Sequence, residues 1–261
     1  GGGEITAGGS GEVHVDGTGG SSMGNDNWGV NLVHTDSQIT SSGGDITVTG
    51  RGGGSGTSAN NFGVRIVDAG NGSGKIIATG DSNLTVTGIG GNGSGGHSHG
   101  VYVNGASIEG GTIGLVSVTG TGGVSAGSHN YGVFVASTNG TITSSGGNVS
   151  VAATGGGAGD SSDNAGLYVA DHGVISAGGA GDVLVVGTGG TSTGNSNVGV
   201  LVIDTNATIT SSGGDVTVTG QGGGMGVSAA NHGVYLPGGG EITAGGSGEV
   251  HVDGTGGSSM G

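Results

Sequence analysis

Three histidines form the one compact group of transition-metal ligands in this sequence. His97 and His99 are two residues apart, and His129 follows 32 residues after His97. Neutral imidazoles can share a zinc or copper ion when the fold brings them within one strand spacing of each other. Surface histidines left by sequence drift are the simpler interpretation. A metal site at His97, His99 and His129 is therefore the bolder of two hypotheses.

Carboxylates recur at one position of a repeating pattern and are candidate ligands for calcium. The residues at this position are Glu12, Asp45, Asn83, Leu115, Asn148, Asp182, Asp215 and Glu249. Like charges stacked at strand spacing repel each other unless they turn into water or a cation bridges them, and calcium prefers oxygen ligands. The pattern predicts a weak calcium site with Asp45, Asp182 and Asp215 as ligands. Solvated turn carboxylates are the alternative.

No catalytic set stands out, so we expect no enzyme. The chain has no cysteine and only three basic residues, Arg51, Arg65 and Lys75. It contains neither a phosphate-binding loop that opens a helix nor a serine in a nucleophile elbow. A polysaccharide lyase or hydrolase is the enzyme alternative, and its candidate residues are these three bases with Asp68.

Composition limits the partners. Eighteen acidic residues against three basic ones give a net charge of −15, which disfavours nucleic acid and anionic membrane surfaces. No apolar run is long enough to span a bilayer. We expect no cofactor other than the possible calcium ion.

The elements that position these residues belong to a tandem repeat. Residues 238–261 are identical to residues 1–24. Within this period of 237 residues, isoleucines head matching segments every 32 to 37 residues, at Ile5, Ile39, Ile76, Ile108, Ile142, Ile175, Ile209 and Ile242. A repeat of this length indicates a solenoid, in which each unit covers its neighbour. We therefore expect one array over residues 1–261, with about seven coils of about 34 residues.

Each repeat predicts three short strands joined by turns. In the first full repeat these are residues 30–32, 39–41 and 45–49, in which aliphatic residues alternate with polar ones at period two. Nothing sustains the period of 3.6 residues that a helix requires. The fold class is therefore all-β, a parallel β-helix with three strands per coil. The glycine-rich return segments keep a nearly constant length, which predicts that they stack as well.

An asparagine column precedes the first strand of each coil. Its members are Asn27, Asn61, Asn130, Asn164, Asn197 and Asn231, with Ser98 in the remaining coil. An amide carries both a donor and an acceptor, so stacked asparagines can bond from coil to coil. The alternative is that asparagine merely tolerates a positive φ in a turn.

The pattern NxGVxV…ITSSGGDVTVTGxGGG…ITAGGSG resembles the repeat regions of giant bacterial surface proteins, the filamentous-haemagglutinin-like and autotransporter-like adhesins. The resemblance covers the whole chain but is one of style, and it assigns no functional residue. It implies a right-handed β-helix, secretion to the cell surface, and a fibre, stalk or adhesive role.

Two functions follow as hypotheses. The first is a structural extracellular fibre whose partner is itself, stacked end to end or as one continuous chain. The second is an adhesin shaft that binds glycan or a partner surface, and it predicts one irregular aromatic patch, with Trp28, Arg65 and the long turn at residues 67–75 as candidates. Ice binding through Thr-x-Thr rows such as Thr47 and Thr49 is a minor alternative.

Overall fold

The computed structural model describes residues 2–34, 36–70 and 72–258. These residues form 23 β-strands and no helix, and all strands pair in parallel within three sheets. The predicted three-stranded parallel β-solenoid of about seven coils is confirmed.

Each coil contributes one strand to each sheet. Sheet I contains β1 (Glu4–Ala7), β4 (Gln38–Ser41), β7 (Lys75–Ala78), β10 (Ser107–Gly110), β13 (Thr141–Ser144), β16 (Val174–Ala177), β19 (Thr208–Ser211) and β22 (Glu241–Ala244). Sheet II contains β2 (Val13–Thr18), β5 (Ile46–Arg51), β8 (Leu84–Ile89), β11 (Val116–Thr121), β14 (Val149–Thr154), β17 (Val183–Thr188), β20 (Val216–Gln221) and β23 (Val250–Thr255). Sheet III contains β3 (Val30–Val33), β6 (Val64–Val67), β9 (Val101–Asn104), β12 (Val133–Ala136), β15 (Leu167–Ala170), β18 (Val200–Val202) and β21 (Val234–Tyr235).

Every coil pairs with the next in one register. The eight isoleucines of the repeat lie opposite one another along sheet I, from Ile5 with Ile39 to Ile209 with Ile242. The strands of residues 241–255 occupy the same positions as those of residues 4–18. The unequal coil lengths are absorbed mainly in the turns between sheets III and I, the longest of which joins Val67 to Lys75.

The core is one column of aliphatic side chains per inward position. Inward residues of the middle coils, such as Val101 and Ile142, are fully buried. Their counterparts in the first and last coils are not, because a coil covers them on one side only: Ile5 is 47% exposed and Val250 is 46% exposed. Leu236 follows Val234 at the next position of the period-two pattern, which predicts an inward side chain, but it is exposed, because within the described residues no strand of sheet III follows β21.

The glycine-rich return segments stack as predicted. The amide of Gly53 donates to the carbonyl of Asn27 at 2.8 Å, and the amide of Gly54 donates to the carbonyl of Gly20 at 2.8 Å. Matching bonds recur in later coils, so these segments close the coil with backbone rather than with side chains.

Candidate functional site

The predicted asparagine ladder runs along the corner that precedes sheet III. Side-chain amides donate to the side-chain carbonyl of the next coil in the pairs Asn27–Asn61 (3.0 Å), Asn130–Asn164 (3.0 Å), Asn164–Asn197 (3.0 Å) and Asn197–Asn231 (3.5 Å). Ser98 interrupts the ladder, but its backbone amide still donates to Asn130 Oδ1 at 3.1 Å. The ladder therefore satisfies polar atoms that the stack buries.

Positive φ belongs to the residue before each asparagine, not to the asparagine itself. The residues at that position are Asp26, Asn60, His97, His129, Asp163, Ser196 and Ala230, with φ between 52° and 66°. Tolerance of a positive φ therefore does not account for the asparagine column. The side-chain amides of the ladder asparagines bond to the neighbouring coils instead.

Buried serines reinforce the ladder, which the sequence analysis did not foresee. Ser161 Oγ donates to Asn164 Oδ1 at 3.0 Å, and Ser192 Oγ donates to Asn197 Oδ1 at 3.0 Å. Serine three or five residues before the asparagine was the available signal in the sequence.

All seven Phe, Tyr and Trp residues of the chain lie in two adjacent columns on the outward side of sheet III. The inner aromatic column follows each ladder position and contains Trp28, Phe62, His99, Tyr131, Ala165, Val198 and His232. The outer aromatic column lies between the inward residues of each sheet III strand and contains Asn31, Arg65, Tyr102, Phe134, Tyr168, Leu201 and Tyr235. Together they form what we call the aromatic strip.

The rings of the strip stack along the solenoid. In the inner column, His99 lies 5.0 Å from Phe62 and 4.8 Å from Tyr131, with ring planes within 6° of parallel. In the outer column, Tyr102 and Phe134 are 4.9 Å apart. Such separations are typical of offset stacking. The middle rings of the inner column, Phe62, His99 and Tyr131, are buried, whereas the outer rings remain partly exposed.

His99 is a buried titratable group of the strip. It is 3% exposed, and its Nδ1 accepts a hydrogen bond from the backbone amide of Tyr131 at 3.1 Å. Burial, followed by the nearby His97 and His129, holds the pKa of His99 well below its ordinary value. His99 is therefore a neutral structural ring that replaces an aromatic residue in the stack.

The structure brings the three predicted metal-binding histidines near one another, but not around a common point. His99 lies 6.1 Å from His97 with the two ring planes at 85°. His97 and His129 lie 4.9 Å apart with ring planes 4° from parallel. Lone pairs of imidazole lie in the ring plane, so parallel rings direct them side by side. Among residues 2–34, 36–70 and 72–258, no group of three His, Cys, Asp or Glu side chains is close enough to hold a metal ion.

The carboxylate column accepts backbone hydrogen bonds from coil to coil. Asp45 Oδ1 accepts from the amide of Asn83, Asp182 Oδ1 from that of Asp215, and Asp215 Oδ1 from that of Glu249, each at 2.8 Å. Asp45 lies four coils from Asp182, so the three predicted ligands do not form one site. Calcium binding on this column stays a prediction, for which Asp182 and Asp215 are the neighbouring pair.

The three basic residues occupy strands of three different sheets. Arg51 ends β5, Arg65 lies in β6, and Lys75 begins β7, where its Nζ is 3.7 Å from Glu109 Oε1. Arg65 lies over the Trp28 ring at 4.5 Å and donates to Asn31 Oδ1 at 2.9 Å. The patch predicted around Trp28 and Arg65 is thus the first part of the aromatic strip.

Two adjoining grooves follow the strip. One, of about 570 Å³, extends from Asn60 to Asp204. The other, of about 360 Å³, is lined by Tyr131, Asp163 and Tyr168 at one end and by His232 and Tyr235 at the other. Burial and the carboxylates of Asp204 and Asp163 raise the pKa of Tyr168, so its phenol keeps its proton at neutral pH.

Comparisons with known proteins returned no family model, no curated protein and no solved structure that matches this chain. Within the part of the chain that the structure describes, no helix has the length and apolar character to cross a membrane. Functional inference therefore depends on the geometry of the solenoid itself.

Proposed function

We propose that this chain is a segment of a structural extracellular filament built from stacked β-coils. The observation that carries this proposal is the unbroken register: each of the three sheets pairs coil to coil along the described chain. Because every coil presents the same kind of strand edge, the stack can be extended by any further coil of this repeat. The proposal assigns no catalysis, and the placement of the three basic residues on three separate sheets supports that part.

Small-angle X-ray scattering on chains with one, two and three copies of residues 1–237 tests the filament proposal. Seven coils at the strand spacing of about 4.8 Å advance by roughly 34 Å. The particle length is expected to rise by that amount per copy while the cross-section stays constant. Copies that scatter as flexibly linked beads, or that widen the cross-section, would contradict a continuous filament.

An extracellular location belongs to the same proposal and rests on the resemblance to secreted repeat proteins. Antibody labelling of intact and permeabilised source cells tests it. Labelling that requires permeabilisation would contradict it.

Binding along the shaft is a second candidate function, and the aromatic strip favours it. Seven aromatic residues in the whole chain is a small number, yet all of them lie on one side of the solenoid. If aromatic residues served only strand packing, they would be found on all three sheets. A surface of this kind is typical of recognition sites rather than of inert scaffold.

A further inference from the structure

The aromatic strip is interrupted between Tyr168 and the last ring pair. Ala165 and Val198 stand where the inner aromatic column has rings elsewhere, and both are buried. Beyond them, His232 and Tyr235 lie 4.6 Å apart with ring planes tilted by 37°. The cavity of about 360 Å³ lies between these two groups of rings. It therefore has an apolar floor and an aromatic group at each end.

Carboxylates beside this cavity have no lysine or arginine partner. Asp163 lines it together with His129, whose Nε2 lies 3.9 Å from Asp163 Oδ2 and which carries a charge only when protonated. Asp204 lies near Tyr168 on the adjoining groove. Among the described residues, the only lysine or arginine within ion-pair distance of a carboxylate is Lys75. The cavity thus combines aromatic rings with a carboxylate that no lysine or arginine of the described residues neutralises.

The strip already holds one cation of its own. Arg65, in the outer aromatic column, stacks its guanidinium over Trp28 of the inner column and bonds the neighbouring Asn31. The two columns therefore accommodate a guanidinium between an aromatic ring, that of Trp28, and a side-chain oxygen acceptor, Asn31 Oδ1. Four coils from Asn31, Tyr168 with Asp163 again places an aromatic ring near a side-chain oxygen acceptor, although at other positions of the coil and without an arginine from the described residues.

We propose that the cavity between Tyr168 and the His232–Tyr235 pair binds arginine side chains of a basic partner segment. This inference rests on the proposed binding role of the shaft and names its ligand. A guanidinium is planar and weakly hydrated, so it stacks on aromatic rings and pairs with carboxylates, whereas an ammonium is a compact and strongly hydrated charge. The net charge of −15 draws a basic segment toward the solenoid.

Charge complementarity favours this ligand over the glycan alternative. A neutral sugar would cover the apolar floor but would leave the carboxylate of Asp163 without a countercharge. An acidic glycan would meet that carboxylate with like charge, which costs affinity. Arginine satisfies the aromatic and the acidic parts of the cavity together.

The test uses two peptides that differ only in charge. The first is acetyl-Gly-Arg-Gly-Arg-Gly-amide, and the second has citrulline, the neutral near-isostere, at both arginine positions. Titration calorimetry at low salt measures affinity, and NMR shifts of the tyrosine rings give the location. We expect the arginine peptide to bind at least tenfold more tightly than the citrulline peptide and to shift Tyr168 and Tyr235.

Three variants separate local recognition from general attraction. Asp163→Asn removes the charge at a residue with φ 56°, which asparagine also tolerates, and is expected to weaken binding at least fivefold. Tyr168→Leu copies the leucine at Leu201, the same position of the next coil, and is expected to do the same. Asp215→Asn removes one charge on sheet II, in a column that has asparagine at Asn83 and Asn148, and is expected to leave affinity unchanged.

Four results would overturn the proposal. Equal affinity for both peptides would show that the cavity does not recognise the guanidinium group. Equal losses of affinity in Asp163→Asn and Asp215→Asn would show that overall charge, and not local recognition, causes the binding. Binding of a neutral oligosaccharide such as cellohexaose at Tyr168, with no binding of the arginine peptide, would keep the binding role and replace the ligand, whereas no binding of either probe would remove the role as well.

Discussion

Individual polar residues are stable inside this protein because the next coil completes their hydrogen bonds. Asn164 shows the arrangement most fully: its Oδ1 accepts from the backbone and side-chain amides of Asn130, and its Nδ2 donates to Asn197 and Ser192. Each of these atoms is buried, and a buried polar group that loses its partner costs about 1–3 kcal/mol.

Asn164→Ala is therefore expected to lower the free energy of unfolding by about 3 kcal/mol, because it leaves the buried backbone amide of Asn130 without its acceptor and removes the bonds to Asn130 Nδ2 and Asn197 Oδ1. Chemical denaturation measures this loss. Asn164→Ser is the matched control, since serine already occupies the ladder at Ser98, and it should cost less. Equal losses for alanine and serine would mean that the ladder bonds contribute little.

Histidine 99 makes stability depend on pH. Its pKa is depressed in the folded state by burial and by His97 and His129, so below the ordinary value of 6.5 the unfolded chain takes up a proton that the folded chain refuses. The contribution of neutral His99 to the free energy of unfolding is fully present above pH 6.5 and is lost as the pH falls toward the pKa of His99 in the folded state.

We expect the thermal midpoint to fall between pH 7 and pH 5, and His99→Phe, which keeps a ring in the stack, to remove part of that fall. Calorimetric scans of both proteins across this range provide the measurement. An identical pH profile for the two would show that His99 is not responsible.

At the scale of elements, the corner between sheets II and III is fixed by glycine. A Cβ on Gly166 would lie 2.5 Å from the backbone nitrogen of Thr188 and 2.7 Å from the carbonyl oxygens of Ala153 and Gly199. Backbone from three strands meets at this point, so the strands would have to separate to admit a methyl group.

Gly166→Ala is expected to destabilise the fold by more than about 3 kcal/mol, the upper end for overpacking of a core. Gly8→Ala is the control, because nothing lies within 4 Å of its added Cβ, and it should be close to neutral. Thermal unfolding of the two variants decides, and a mild effect at Gly166 would show that the corner is looser than the structure describes.

The sequence predicts the elements well and their outward contacts poorly. Strands such as β5 and β12 follow from alternating aliphatic residues, and the ladder follows from asparagine at a constant offset, because both recur in nearly every coil. The aromatic strip changes residue type at each level and neither of its columns has a ring in every coil, so the sequence shows no regular aromatic repeat. The contact of Arg65 with Trp28 depends on how two neighbouring coils overlap, which composition and spacing do not determine.

At the scale of the whole molecule, register is the property from which all others follow. The ladder, the aromatic strip and the continuous core each require that a residue lie directly over its counterpart one coil away. A shift of one residue in any sheet would move inward side chains to the surface. The account therefore depends on coil-to-coil register more than on any single contact.

Disulfide formation between introduced cysteines measures that register directly, since the chain has no cysteine of its own. Ser117 and Ser150 are partners in adjacent strands of sheet II, and Leu184 follows one coil further. Parallel neighbours lie at about 4.8 Å, within the range of a disulfide, while two coils span roughly 10 Å, which is too far. Under mild oxidation, Ser117→Cys with Ser150→Cys is expected to crosslink completely, and Ser117→Cys with Leu184→Cys is expected to remain reduced. Crosslinking of the second pair but not the first, or of both equally, would contradict the parallel in-register solenoid.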